Sequence, residues 1–267
     1  MTKKIVITGS TDGIGKLTAF QFVKAGHHVC IHGRSAEKVH KVISEIKSEF
    51  AMEASGVVGD LSRFGSLKKL AEDISSNLPV IDVLINNAGV FHSPKVQNEE
   101  GLDLRFMVNY LAPYYLTQEL KPLLEKSEKP RVLNLSSAAQ SPISLEILSG
   151  ERQGAVQETY AQSKLALTMW SFEFARLNPQ IVTIAVNPGS LLNTKMVQEA
   201  YGQYWSSADK GADVLFDLAV NEVYENNSGR YFDNDQEVFA KAHPEAYSIS
   251  KTDALISMTE KILKQKL

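Results

Sequence analysis

The stretch KIVITGSTDGIG, residues 4–15, decides how this 267-residue chain is read. Lys4 to Thr8 form a short apolar, β-branched run, and three glycines spaced Gly-x-x-x-Gly-x-Gly follow at Gly9, Gly13 and Gly15. Helical periodicity begins at Ile14. A strand that runs straight into glycines and then into a helix is the context in which such glycines carry information. Gly9 permits a tight turn, Gly13 lets the backbone approach a pyrophosphate, and Gly15 lets helix and strand pack closely. The amides at the helix N-terminus then face an anion. The expected ligand is a dinucleotide phosphate over residues 9–15, with Ser10, Thr11, Asp12 and Ile14 completing the cradle.

Outward from this turn the pattern repeats. Runs with strand character at 4–8, 29–32, 56–58, 81–85, 131–136 and 181–186 alternate with amphipathic stretches at 14–25, 36–50, 61–76, 101–125 and 156–177. Strands separated by helices run parallel, because each crossover returns the chain to the same edge, and right-handed crossovers place helices on both faces. After Pro188 the pattern loosens into a polar and aromatic loop, a helix near 209–221, a short strand at 229–232 and a final helix at about 251–264. The expected fold is a doubly wound parallel α/β sheet of about seven strands with helices on both faces, a single domain over 1–267.

A composition of 43% hydrophobic and 22% charged residues suffices for one sizeable core and excludes a disordered or fibrous chain. The longest apolar runs, such as 181–186, fall far short of the ~20 residues of a spanning helix. At the N-terminus two lysines precede only Ile5, Val6 and Ile7, too short a stretch for a secretory signal. The expected location is the cytoplasm, with no membrane span. A net charge of −3 offers no general attraction to nucleic acid, and the lone Cys30 cannot form an internal disulfide. His27, His28 and His32 lie close together in sequence, but strand alternation divides their side chains between faces and no cysteine or carboxylate joins them. No metal site is expected.

The end of the second strand bears on the choice of nucleotide. An acidic residue there accepts the adenosine ribose hydroxyls of NAD, whereas this chain reads Ile31, His32, Gly33, Arg34. No carboxylate repels a 2′-phosphate, and Arg34 can donate a charge-assisted fork to one. NADP is therefore expected over NAD. Further along, Tyr160 and Lys164 sit four apart on a helical stretch, so they share a face and can act on one substrate. Tyr247 and Lys251 have the same spacing. Tyr160 is preferred because its helix follows the strand at 131–136, on the side where strand C-termini and the phosphate turn converge.

In order, TGSTDGIG at 8–15, NNAG at 86–89, Asn109, LNLSS at 133–137, YAQSK at 160–164 and NPG at 187–189 resemble the short-chain dehydrogenase/reductase family over nearly the whole chain. The long interval between Ser137 and Tyr160, the QSKLA continuation and GRYFDND at 229–235 resemble its retinol dehydrogenase and carbonyl reductase branch. The resemblance implies a Rossmann-like fold and hydride transfer between a nicotinamide and a carbonyl or alcohol carbon. It implies Tyr160 as the proton donor to the alkoxide-like oxygen, Lys164 lowering the phenol pKa and holding the nicotinamide ribose, and Ser137, in preference to Ser136, orienting the substrate oxygen. Bringing a phenol from about 10 to near 7 takes about 4 kcal/mol. An ammonium at about 4 Å supplies that at an effective dielectric of about 20.

In related enzymes an asparagine at position 109 holds a water that links Lys164 to solvent. Pro113 lacks the N–H that would bond the Asn109 carbonyl in an α-helix, so that acceptor is expected to stay open. By the same resemblance Asp60 and Leu61 line the adenine pocket, and Asn86, Ala88 and Gly89 wall the adenosine. Pro188 and Gly189 turn beneath the nicotinamide, and Thr194 reaches its carboxamide or the pyrophosphate, although the family often has that threonine one residue earlier, where Asn193 stands.

Met196, Tyr201, Tyr204 and Trp205 fall where the family places its substrate lid, about 190–208, and suggest a lipophilic carbonyl or alcohol as the small-molecule substrate. Two other readings stay open: an NADP-sensing regulatory protein without turnover, and a reductase of carbon–carbon double bonds. Related enzymes often pair through the helices carrying Asn109 and Tyr160, so a homo-oligomer is a further expectation.

Overall fold

The computed structural model describes residues 2–267, apart from the side chains of Ala200 and Tyr201. Tyr201, one of the lid aromatics expected above, therefore lies outside the described residues. The first half of the chain builds β1 (Lys4–Ile7), α1 (Gly13–Lys24), β2 (His28–Gly33), α2 (Ala36–Phe50), β3 (Ser55–Val58), α3 (Phe64–Asn77) and β4 (Val83–Asn86). A long helix follows in three parts: α4 (Leu104–Phe106), a π-helical turn (Met107–Leu111) and α5 (Ala112–Leu124). Then come β5 (Arg131–Leu135), α6 (Leu145–Leu148), α7 (Val156–Leu177), β6 (Val182–Asn187), α8 (Lys195–Tyr201), α9 (Asp209–Val220), β7 (Arg230–Asp233), β8 (Val238–Ala240) and α10 (Ile249–Lys266).

Among the described residues one sheet holds eight strands in the order β3-β2-β1-β4-β5-β6-β7-β8. The first seven run parallel, and β8 runs antiparallel to β7. The eighth strand was not expected, and three residues are too few to show a period. It is held by ring contacts: Phe239 meets Phe232 edge-on at 5.1 Å, and the Arg230 guanidinium stands 4.6 Å above the Phe239 ring.

The strands are apolar on both sides because both sides are covered. Val6, Cys30, Leu84, Val132, Ala185 and Tyr231 face a core shared with α3, α5, α7 and α10. Ile5, Ile31, Ile85, Leu133, Ile184 and Phe232 face the opposite core with α1, α2 and α9. Helix α10 packs beside the π-turn and α5, with Tyr110 OH bonded to Thr259 Oγ1 at 2.7 Å and Tyr114 OH to Glu260 Oε1 at 3.5 Å. No helix among the described residues is long and apolar enough to cross a membrane.

Candidate active site

The order β3-β2-β1-β4 means that the chain winds one way from β1 and the other way from β4, so the loops after these strands part and leave a crevice at their C-terminal ends. The phosphate turn forms one lip. Gly9 has φ +66°, and a Cβ there would lie 2.9 Å from Ala88 Cα. A Cβ at Gly15 would stand 2.4 Å from Asn87 Nδ2 and 2.5 Å from the Gly9 carbonyl. Any side chain at either position would push the turn off the sheet. Asp12 caps α1, its Oδ1 accepting the Gly13 N–H at 2.8 Å. Thr194 closes over the turn, with Cγ2 3.7 Å from where a Gly13 Cβ would be, and its Oγ1 caps α8 by accepting the Val197 N–H.

Ser10, expected as part of the phosphate cradle, has its side chain turned into the sheet. It is buried, its Oγ donates to the Ile7 carbonyl at 2.8 Å and accepts the His32 N–H at 2.9 Å, and its own N–H goes to the His32 carbonyl. The turn is thus stitched to β2 from within. Arg34 is exposed just past the end of β2. At Gly33 a Cβ would come within 2.6 Å of Thr11 Cγ2, so the turn folds directly over the position where an acidic side chain would stand.

The opposite lip carries the tyrosine and lysine. Tyr160 is half-buried in the first turns of α7, and Lys164, 5% exposed, lies one turn on. The Lys164 Nζ sits 5.6 Å from the Tyr160 ring centroid and donates to the Leu135 carbonyl at 2.6 Å. Burial pulls its pKa down from the ordinary lysine value to about 8. Gly89 is the meeting point: a Cβ there would lie 3.5 Å from Asn109 Oδ1, 3.6 Å from Met196 Cε and 3.7 Å from Lys164 Nζ. Ser137 is half-buried at the end of β5, its Oγ accepting the Ala139 N–H at 3.1 Å with its own proton not used in that bond. Ser136 is buried, bonded to Thr168 Oγ1 at 2.6 Å and to the Lys164 carbonyl.

The short chain dehydrogenase family model matches residues 3–205. The chain belongs to the short-chain dehydrogenase family. It is 32% identical over 253 residues to mouse retinol dehydrogenase 13, covering 86% of this chain and 75% of that protein. It is 29% identical over 254 residues to human polyprenol dehydrogenase, covering 87% and 77%. A short chain dehydrogenase of Escherichia coli crystallised with NADPH superposes with a TM-score of 0.73 at 26% identity, covering 87% of this chain and 96% of that one. A Mycobacterium paratuberculosis protein shares the fold, with a TM-score of 0.81 over 98% of this chain and 93% of its own at 23% identity. Membership makes this dehydrogenase a nicotinamide-dependent oxidoreductase of CH–OH and C=O groups.

Several residues of the dehydrogenase stand differently from the sequence reading. The Asn109 side chain clamps the end of the NNAG segment: Oδ1 accepts the Val90 N–H at 2.8 Å and Nδ2 donates to the Val90 carbonyl and to Ser163 Oγ, both at 3.0 Å. Ser163 Oγ in turn donates to the Tyr160 carbonyl at 2.7 Å. Around Pro113 the helix opens into the π-turn, with Ala112 N–H reaching back five residues to the Met107 carbonyl. Asn86 points beneath the sheet, its Nδ2 meeting Thr117 Oγ1 at 3.0 Å and Asn134 Oδ1 at 2.7 Å. Its neighbour Asn87 does what the sequence reading missed, donating to the Thr8 and Gly9 carbonyls at 2.8 and 3.0 Å.

Asp60 Oδ1 accepts from the N–H and hydroxyl of Ser62 beside buried Leu61. Pro188 is held through its carbonyl by Asn234 Nδ2 at 2.8 Å, and Gly189 takes φ +121°. The second pair, Tyr247 and Lys251, is occupied elsewhere: the phenol oxygen accepts the Ala242 N–H and the lysine pairs with Glu245.

Phe91, 5% exposed, packs edge-on against the Tyr160 ring at 4.7 Å. Its carbonyl accepts from Arg105 Nη1 at 3.5 Å, and Arg105 makes a two-point pair with Asp103 at 2.9 and 2.5 Å, both side chains buried. Removing one member of a buried pair strands the other charge. Arg105→Met is therefore expected to lower unfolding stability by about 3–5 kcal/mol, read from the urea midpoint. The double variant with Asp103→Leu is expected to recover part of the loss, and a single variant as stable as the wild type would show that the pair contributes nothing.

Proposed function

We propose that this dehydrogenase interconverts a lipophilic carbonyl compound and its alcohol with NADP(H), in the cytoplasm, using Tyr160 as general acid and base with Lys164, Ser137 and Asn109. The observation that carries the reading is the buried Lys164 ammonium 5.6 Å from the Tyr160 ring centroid, on the lip facing the phosphate turn. The cleft suits the nucleotide. Positive φ at Gly9 and Gly13 brings bare backbone to the crevice, the end of β2 carries no carboxylate, and exposed Arg34 stands where a 2′-phosphate would be met. When bound, the reduced nucleotide would supply the hydride that the carbonyl carbon gains, and the oxidised nucleotide would accept the hydride that the alcohol carbon loses.

The chain's own groups manage the proton and the positioning. Ser137 Oγ directs its proton at the substrate oxygen and holds it beside Tyr160 Oη, which gives or takes the proton. Below about pH 8 Lys164 is charged. A buried ammonium beside the phenol ring favours the phenolate over the phenol. Asn109 contributes from its main chain, its amide being engaged with Val90 and Ser163. The segment 190–208 serves as the lid, with Met196 over Gly89 and the largely exposed Tyr204 and Trp205 at its edge. Relatives named for retinol and polyprenol support an apolar alcohol.

An NADPH-oxidation assay over apolar aldehydes, ketones and conjugated alkenes tests this. Turnover of aldehydes or ketones is expected. Turnover of alkenes alone would replace carbonyl reduction by double-bond reduction, and nucleotide binding without turnover would leave a sensor. Loss of a charge-assisted hydrogen bond costs about 1.5–3 kcal/mol, so Arg34→Ala is expected to raise the NADPH dissociation constant by at least about tenfold and leave that of NADH nearly unchanged. An equal change for both nucleotides would refute the phosphate role of Arg34.

A further inference from the structure

We propose that His32 is a positioning residue for the nucleotide, its ring clasping the phosphate turn to the ends of two neighbouring strands. The proposal rests on the NADP reading above. His32 is 2% exposed near the end of β2, among the apolar Val29, Cys30 and Ile31. A buried polar ring in such a strand is costly unless its nitrogens are engaged. Both are: Nδ1 accepts the Gly9 N–H at 3.0 Å, and Nε2 faces the Gly59 carbonyl at 3.1 Å. An N–H aimed at Nδ1 requires that nitrogen to be bare, and a carbonyl aimed at Nε2 requires a proton there. The two contacts thus select one neutral tautomer. Burial keeps the ring neutral, lowering its pKa to about 4 despite the Asp60 carboxylate nearby.

The backbone of the same residue exchanges two further bonds with Ser10. His32 therefore fixes two consecutive residues of the turn, Gly9 with its φ of +66° and buried Ser10, and ties them through Gly59 to the segment entering Asp60. Strands β1, β2 and β3 all end at this ring. Because the Gly9 N–H is committed to the imidazole, the anion must be met by the start of α1. The clasp shapes the turn without facing the anion. A turn held in its bound shape before the ligand arrives avoids the cost of ordering on binding.

Dissociation constants of NADPH and NADH, measured by calorimetry on full-length protein, test the clasp. His32→Phe keeps the ring volume and removes both nitrogens. It is expected to raise both constants by about tenfold, equivalent to about 1.4 kcal/mol, since the turn serves the pyrophosphate common to both. His32→Asn, whose amide oxygen can take the Gly9 N–H, is expected to stay within about threefold of the wild type. Equal binding by the wild type and His32→Phe would overturn the proposal, as would a folded His32→Asn as weak as the phenylalanine variant. A wild type that binds neither nucleotide would instead overturn the NADP reading itself. Nitrogen NMR of the ligand-free protein adds an independent reading: the His32 ring should show a bare Nδ1 and a protonated Nε2, unchanged from about pH 5 to 8. The opposite tautomer, or titration near the free value, would sink the clasp.

Discussion

Tyr160→Phe is expected to bind NADPH with wild-type affinity and to lose turnover by about 10²–10⁴-fold, the range removed with a general acid. The substitution deletes one oxygen and leaves the ring. The edge-on packing against Phe91 at 4.7 Å and the Ser163 bond to the Tyr160 carbonyl do not use that oxygen and persist. The lysine also stays where it is, because its bond to the Leu135 carbonyl does not involve the phenol. Calorimetric titration with NADPH beside the NADPH-oxidation assay separates the two effects. Full rate in the variant would move the acid elsewhere, and lost nucleotide affinity would make Tyr160 a binding residue.

Lys164→Met is expected to abolish turnover and, in the opposite direction, to stabilise the nucleotide-free protein. The ammonium is buried and its pKa is pulled from the ordinary 10.5 to about 8 by desolvation. Below pH 8 both folded and unfolded chains carry the proton, so the cost of burying the charge is fully present there. Between about 8 and 10.5 the unfolded chain holds a proton that the folded one has released, and stability rises with pH by about 3 kcal/mol in all. Methionine lacks that cost, while the Leu135 carbonyl loses a donor worth about 1 kcal/mol. The net gain of about 2 kcal/mol corresponds to a melting temperature higher by about 5 °C at pH 7, shrinking toward pH 10. A variant that melts below the wild type would show that the lysine sits there at no cost.

Much of this was legible in the sequence because the signals were local. The helices at 36–50 and 156–177 coincide with α2, which buries one stripe of Val39, Val42 and Ile46, and α7, which is buried all round from Gln162 to Ser171. The phosphate turn is read from glycines set between a strand and a helix, and the tyrosine-lysine face from helical spacing together with the strand at 131–136 that its helix follows. What escaped depended on register between strands. Whether Ser10 faces the crevice or the sheet is decided by the His32 backbone beside it, and His32 itself reads as an isolated histidine until β1 and β2 are laid side by side. Asn86 could have been placed by parity. It follows Leu84 on the α5 and α7 side, so its amide belongs under the sheet and Asn87 is the one that turns to the phosphate loop. The π-turn was half legible: Pro113 announced a missing donor but not the wider turn that accommodates it.

The two borders of the sheet are short: β8 contributes three residues and β3 four. A row of free amides and carbonyls is an invitation for another chain to add itself as a further strand. Here the inviting rows are too brief to nucleate a ladder, and at one of them the direction reverses just where a parallel sheet would otherwise continue. The antiparallel tail strand thus acts as a selvedge, finishing the fabric so that crowded copies have little to unravel or stitch onto.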